Sequence, residues 1–165
     1  MILGFDISTS LGWATTRLDD ADQVVLIEHG TVDLPTKVNP IEKLARVRSL
    51  FERIEANAVE HVAGVYVEGI PFVRQAMAHA SYWRVRTLIE VVAAERSLYP
   101  VTEVNASTLK KWSTGNGRAD KSLMCRAARE RYGVDLYARK GDEKKGSKAQ
   151  EDAADAILVA SWAHS

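Results

Sequence analysis

The chain opens on a short apolar run, MILGFDIS (Met1–Ser8), rich in strand formers and interrupted by one acid, Asp6. A run of this length bounded by polar residues reads as a buried strand. A tight turn near Ser8–Gly12 leads into GWATTRL, the polar turn DDAD follows, and QVVLIEHGTVDL has the β-branched content of a third strand. The spacing predicts an antiparallel meander of three strands. At Pro40 the period changes: Ile41, Leu44, Val47/Arg48, Phe51, Ile54 and Ala58 recur at three and four. That predicts an amphipathic helix over Pro40–Val59 with proline at its start. Ala63–Ile70 is a fourth strand, Phe72–Leu98 a long helical stretch stopped by Pro100, and Val101–Ala106 a fifth strand. Asn105 caps a short helix through Trp112, STGNGRAD is a loop, and Asp120 caps a helix that ends at Gly133. VDLYARKGDEKKGSK is polar, charged and glycine-containing, so a mobile loop is expected there. Ser147 and Gln150 form a capping box that starts the last helix.

The order β-β-β-α-β-α-β-α-α predicts an α/β fold with a five-stranded mixed sheet flanked by helices, the layout of the ribonuclease H-like fold. At 165 residues, with 46% hydrophobic and 27% charged positions, the chain is expected to form a single domain over 1–165. No apolar run reaches the ~18 residues of a membrane span, and the start lacks a basic signal-peptide region. One cysteine, Cys125, excludes an intramolecular disulfide and a cysteine-based zinc site. A cytoplasmic protein without membrane association is the simplest expectation.

Net charge is zero, but its distribution is uneven. Residues 1–70 carry 6 Lys/Arg against 11 Asp/Glu, whereas 71–165 carry 16 against 11. Most of the excess lies between Lys110 and Lys148, with 12 basic residues facing 5 acidic ones. Such a region is either an ordinary solvated face or an electrostatic footprint for a phosphate backbone.

Carboxylates occupy positions where packing calls for apolar residues: Asp6 inside the first strand, Glu68 at the end of the fourth, and Asp152 and Asp155 on one face of the last helix. Singly, each has a bland explanation: an edge residue, a turn former, or an acid favoured by a helix N-terminus. Gathered at one end of a ribonuclease H-like sheet, they would repel unless a cation sat among them. Hard carboxylate oxygens suit Mg²⁺ or Mn²⁺, and two such ions can activate water and stabilise the leaving oxygen in phosphodiester hydrolysis.

On GFDIS, VYVEGIPF, VNASTLKKWSTGNGRADKSLM and EDAADAILVASWA, the chain resembles the RuvC-like Holliday-junction resolvases over nearly its full length. The resemblance implies a homodimeric endonuclease using two Mg²⁺ ions per active site, with Mn²⁺ as a substitute. It would nick four-way DNA junctions symmetrically and leave 5′-phosphate and 3′-hydroxyl ends. Asp6, Glu68, Asp152 and Asp155 would be the metal-binding acids, and Lys121 would approach the scissile phosphate. Gly115 and Gly117 would let the loop backbone approach DNA, and Lys110, Lys111, Arg118, Arg139, Lys140, Lys144, Lys145 and Lys148 are candidate phosphate contacts. Phe72 and Arg74 join them as candidate DNA contacts. Met77, Tyr82 and Trp83 on the second helix belong to the core or to a dimer interface, and His79 is read as structural or at the interface. The chain departs from the family's pattern in Ser8, where glycine is frequent, in Pro71, where an aromatic is frequent, and in the charged ARKGDEKKGSK loop, which would broaden the range of branched substrates.

Other readings compete. A YqgF-type RNA-processing nuclease shares the fold, but the D-A-A-D-A helix and the G-x-G-x-x-x-K loop favour the resolvase. The sugar-kinase and actin superfamily shares the DISTS style of first strand but needs two such halves. A non-catalytic junction-binding module would be expected to lack one of the acids. The sequence identifies no branch-migration partner.

Overall fold

The computed structural model describes residues 1–8, 10–35, 37–58, 60–70 and 76–165, with the side chains of 76–79 excepted. Phe72 and Arg74, with Pro71, therefore lie outside the described residues, as do the side chains of Met77 and His79. The meander forms as β1 (Ile2–Ile7), β2 (Ser10–Leu18) and β3 (Val24–Asp33), each antiparallel to the next. Helix α1 (Pro40–Asn57) leads to β4 (Gly64–Glu68), and α2 (Ala76–Ala94) leads to β5 (Thr102–Val104). Both β4 and β5 run parallel to β1, giving a five-stranded sheet in the order β3-β2-β1-β4-β5. Helices α3 (Ala106–Thr114), α4 (Lys121–Tyr132) and α5 (Lys148–Trp162) complete the chain.

Local chemistry sets the helix ends. Asn39 accepts from the Glu42 N–H with Pro40 in the first turn, and Asn105 and Asp120 cap α3 and α4. Gly115 and Gly133 close those two helices in the left-handed conformation, at φ 77° and 67°. Ser147 and Gln150 make both bonds of the capping box that starts α5. One boundary and one buried face differ from expectation. Helix α2 stops at Ala94 rather than at Leu98, because Ser97 adopts φ 59° and the Ser97 and Leu98 N–H groups fold back on Ala94 and Ala93. On α1 it is Leu50 that is buried, while Ile41 is 81% exposed.

The sheet separates two apolar layers. One packs β1, β2 and β4 against α1 and α2, with Leu3, Phe5, Trp13, Phe51, Val67 and Ile89 at its centre. The other packs the opposite face against α5, with Leu109, Met124, Ile157 and Leu158 buried between the helices.

The segment between α4 and α5, expected to be a mobile loop, is built into the fold. Leu136, Tyr137 and Ala138 are buried. The Asp142 carboxylate accepts from both terminal nitrogens of Arg129, at 2.9 and 2.8 Å, and from the Ala138 N–H at 3.0 Å. Composition alone concealed this, because the anchors are single residues inside a polar run.

Candidate active site

Strand alternation places the first acids. Leu3, Phe5 and Ile7 enter the layer against α1 and α2, so Ile2, Gly4 and Asp6 face α5. In β4, Val65 and Val67 enter the same first layer, which turns Tyr66 and Glu68 toward α5 as well. The parallel register pairs Phe5 with Val67, so Asp6 and Glu68 follow as neighbours at the carboxyl ends of adjacent strands. That end of a parallel sheet is where ligands bind in open α/β folds.

Helix α5 brings the next acids by lying directly on the sheet. A Cβ on Gly4 would come within 2.5 Å of the Ala160 nitrogen, and one on Gly12 within 2.1 Å of the Asp152 carbonyl oxygen. The helix meets those glycines with alanines, Ala153, Ala156 and Ala160, all buried. This close approach leaves Asp155 1% exposed beside Asp6 and Glu68. One carboxylate oxygen from each of Asp6, Glu68 and Asp155 lies within 4.8 Å of the others.

Three acids this close, Asp6 and Asp155 buried and Glu68 half-buried, perturb one another. Burial pushes the Asp6 carboxyl well above its ordinary range, and Glu68 and Asp155 push it further. Glu68 is pushed up to about 7, by burial first and then by Asp155. Burial also raises Asp155, against the pull of Lys121. The Lys121 ammonium donates to Asp155 Oδ2. Burial works against its charge, but Asp155, Asp6 and Glu68 outweigh burial and raise its pKa. The donor set is hard oxygen throughout and carries more negative charge than one lysine offsets, which fits Mg²⁺ or Mn²⁺.

Asp152 stands apart from this trio. It is fully buried, accepts from Ser8 Oγ at 2.8 Å and Ser10 Oγ at 2.5 Å on one oxygen, and from Lys148 Nζ at 2.8 Å on the other. Ser8, the departure from glycine, thus holds an acid rather than merely altering a turn. The two serines were visible as small hydroxyl residues in DISTS, but no spacing rule links them to a helix more than 140 residues away.

A second support holds Glu68 from behind. Tyr82 Oη lies 3.2 Å from the Glu68 carbonyl oxygen and 3.2 Å from Glu103 Oε2. Arg86, buried on α2, donates to Glu103 at 2.9 Å, to Glu90 at 2.9 Å and to the Val101 carbonyl at 3.0 Å. Tyr82 is therefore a core residue, whereas Trp83 beside it is 52% exposed.

No family model matches the chain. A curated protein from Endomicrobium trichonymphae, named crossover junction endodeoxyribonuclease RuvC, is 27% identical over 161 residues, which span 97% of this chain and 78% of that protein. In sequence the chain resembles RuvC. Among solved structures, Thermus thermophilus RuvC in complex with a Holliday junction substrate superposes with a TM-score of 0.72 at 21% identity, covering 99% of this chain and 94% of that one. Thermus thermophilus RuvC alone gives 0.67 at 21% identity, over 96% and 90% of the two chains. The yeast mitochondrial Holliday junction resolvase Ydc2 gives 0.66 at 12% identity, over 99% and 77%. These likenesses establish the ribonuclease H-like fold.

The cleft gathers some of the predicted basic residues and not others. Lys110, Lys121 and Lys148 line the cleft over Asp6, Glu68 and Asp152. Lys111 and Arg118 are exposed, on α3 and in the loop after it. Gly115 is a helix terminus with open space around it, while Gly117 packs near the Ser107 carbonyl. Arg139 is tied to Glu151, its backbone N–H to Oε1 at 2.8 Å and its Nε to Oε2 at 3.0 Å. Lys144 lies over the Tyr137 ring, 4.9 Å from its centre, and 3.8 Å from Asp135. Lys140 and Lys145 line a separate cavity, described below. Glu151, buried on α5, is a structural acid that sequence reading missed because it adjoins the acids of the motif.

Proposed function

We propose that the chain is a metal-dependent endonuclease that resolves four-way DNA junctions by paired, symmetric nicks, leaving 5′-phosphate and 3′-hydroxyl ends. The observation that carries this reading is the convergence of Asp6, Glu68 and Asp155 beside Lys121 at the carboxyl edge of the sheet. The likeness to RuvC, in sequence and in fold, supplies the junction as substrate class.

Asp6, Glu68 and Asp155 would hold Mg²⁺, with Mn²⁺ as a substitute. A cation there would supply positive charge for the phosphate and acidify a water molecule. The protein's own groups do the rest. The raised carboxyl pKa values mean that the trio retains a proton near neutral pH, so cation binding releases it and tightens as pH rises. Lys121, with a side chain 46% exposed at the mouth of the site, reaches from Asp155 toward the cleft and offsets charge developing on the phosphate. The buried α5 anchors Asp155, and the Tyr82–Arg86–Glu103 network anchors Glu68, so neither acid has to be ordered when substrate arrives. Asp152 would complete a second cation site by exchanging Lys148 for the ion. Two symmetric nicks require two such sites, which a homodimer provides.

The test is an immobile four-way junction labelled on each strand in turn, incubated with Mg²⁺ beside linear duplex and structured RNA. Paired nicks at symmetry-related positions, lost in Asp6→Asn, are expected. Junction binding without cutting under either metal would make the chain a binding module. Equal cutting of duplex, or a preference for RNA, would refute the substrate assignment.

A further inference from the structure

Between the start of α4 and the folded segment before α5 lies a cavity of about 650 Å³, lined by Lys121, Ser122, Arg139, Lys140, Lys145 and Glu151 among others. Its walls are fixed. Ser122 Oγ donates to the Gly141 carbonyl at 2.8 Å, and the Gly146 N–H donates to the Ala138 carbonyl at 3.0 Å. Asp142, 1% exposed at its side chain, clamps the segment to Arg129. Gly146 itself is required there, since a Cβ would fall 1.6 Å from the Tyr137 carbonyl oxygen.

The cavity's negative groups are already engaged. Glu151 is neutralised by Arg139 and accepts a backbone N–H, and Asp120 caps α4 through the Leu123 N–H. Of its cations, Lys121 is paired with Asp155 and Arg139 with Glu151, but among the described residues neither Lys140 nor Lys145 makes an ion pair, whereas Lys144 on the same segment turns away to Asp135 and Tyr137. Lys121 lines both this cavity and the cleft over Asp6 and Glu68. The two cavities therefore lie on either side of one shared side chain.

We propose that this cavity is a second phosphate seat. It binds a backbone phosphate of the cleaved strand beyond Lys121, with Lys140 and Lys145 supplying the charge and the rigid Asp142-clamped segment supplying the position. The inference rests on the nuclease reading for the identity of the strand, but not for the existence of an anion site. A fixed seat beside the scissile phosphate sets where on the strand the cut falls, independently of base contacts.

The experiment measures binding of a fluorescent four-way junction across a KCl series in Ca²⁺, together with mapping of nicks in Mg²⁺. Lys140→Ala/Lys145→Ala is expected to lower the magnitude of the log K against log[salt] slope by about 1 and to weaken binding roughly tenfold. Its nicks should spread to neighbouring phosphodiesters. Lys140→Arg/Lys145→Arg, which keeps the charge, is expected to retain the slope. Thermal melts establish that each variant is folded. An unchanged slope and nick position in the alanine variant, with wild type still preferring the junction, overturns the seat and leaves the nuclease reading intact. A loss of equal size in Lys144→Ala overturns it too, since the effect would then be loop charge and not this cavity. Wild type that binds no DNA overturns both.

Discussion

Replacing Glu68 by glutamine should stabilise the metal-free protein, and only at high pH. In the folded chain the Glu68 carboxyl is pushed from its ordinary 4.5 up to about 7, by burial and by the charge of Asp155. A raised carboxyl pKa means that the native state holds a proton the unfolded chain has released. Stability is thus complete below pH 4.5 and falls as pH rises toward about 7. Taken alone, that displacement is worth about 3 kcal/mol above pH 7, at ~1.4 kcal/mol per pH unit. Glutamine removes this penalty but also deprives the Lys121 ammonium of an attractive partner, so a net gain of about 2 kcal/mol is expected at pH 8.

The assay is urea or thermal unfolding in a chelator, at pH 5 and pH 8. A gain of that size should raise the melting temperature by about 4–8 °C in a domain of this length, and at pH 5 most of the difference should vanish. Saturating Mg²⁺ should then stabilise wild type more than the variant, since only wild type offers the full donor set. Glu68→Gln that is no more stable than wild type at pH 8, or a difference independent of pH, would refute the electrostatic account of the trio.

Other expectations follow from the same geometry. Lys148→Met frees Asp152 from a partly exposed ion pair worth about 1 kcal/mol, so the Mg²⁺ concentration giving half-maximal cleavage should fall about fivefold; a rise would mean that Lys148 serves the substrate instead. Gly12→Ala forces α5 off the sheet, because the added methyl meets the Asp152 backbone at 2.1 Å. It should cost about 3 kcal/mol in urea unfolding and abolish cleavage; a variant as stable and active as wild type would contradict the packing. Arg86→Met leaves the carboxylates of Glu103 and Glu90 without their shared partner. Both are partly exposed, so the loss in urea unfolding should lie at about 2 kcal/mol, below the range for a fully buried pair.

The order of elements was legible because each announces itself locally. Asn39, Asn105, Asp120 and Ser147 sit where helices begin, and the change of period at Pro40 marks the passage from meander to helix. The approach of Asp6 and Glu68 was legible for a different reason: an acid in an apolar strand violates the pattern of its neighbours, and the predicted order of elements sets those two strands side by side. What the sequence could not carry is which partner each acid takes. Asp152 and Asp155 occupy the same face of one helix three residues apart, yet one is held by two serines and Lys148 while the other joins Asp6, Glu68 and Lys121. That division depends on how close α5 comes to Gly4 and Gly12, a distance no periodicity encodes. The folded segment before α5 makes the same point. Its order rests on one buried aspartate meeting one arginine, and a composition dominated by lysine, glycine and glutamate hides it. A pattern read along the chain finds groups that need a partner; the approach of helix to sheet decides which partner they get, and here it gives Asp152 two serines and a lysine.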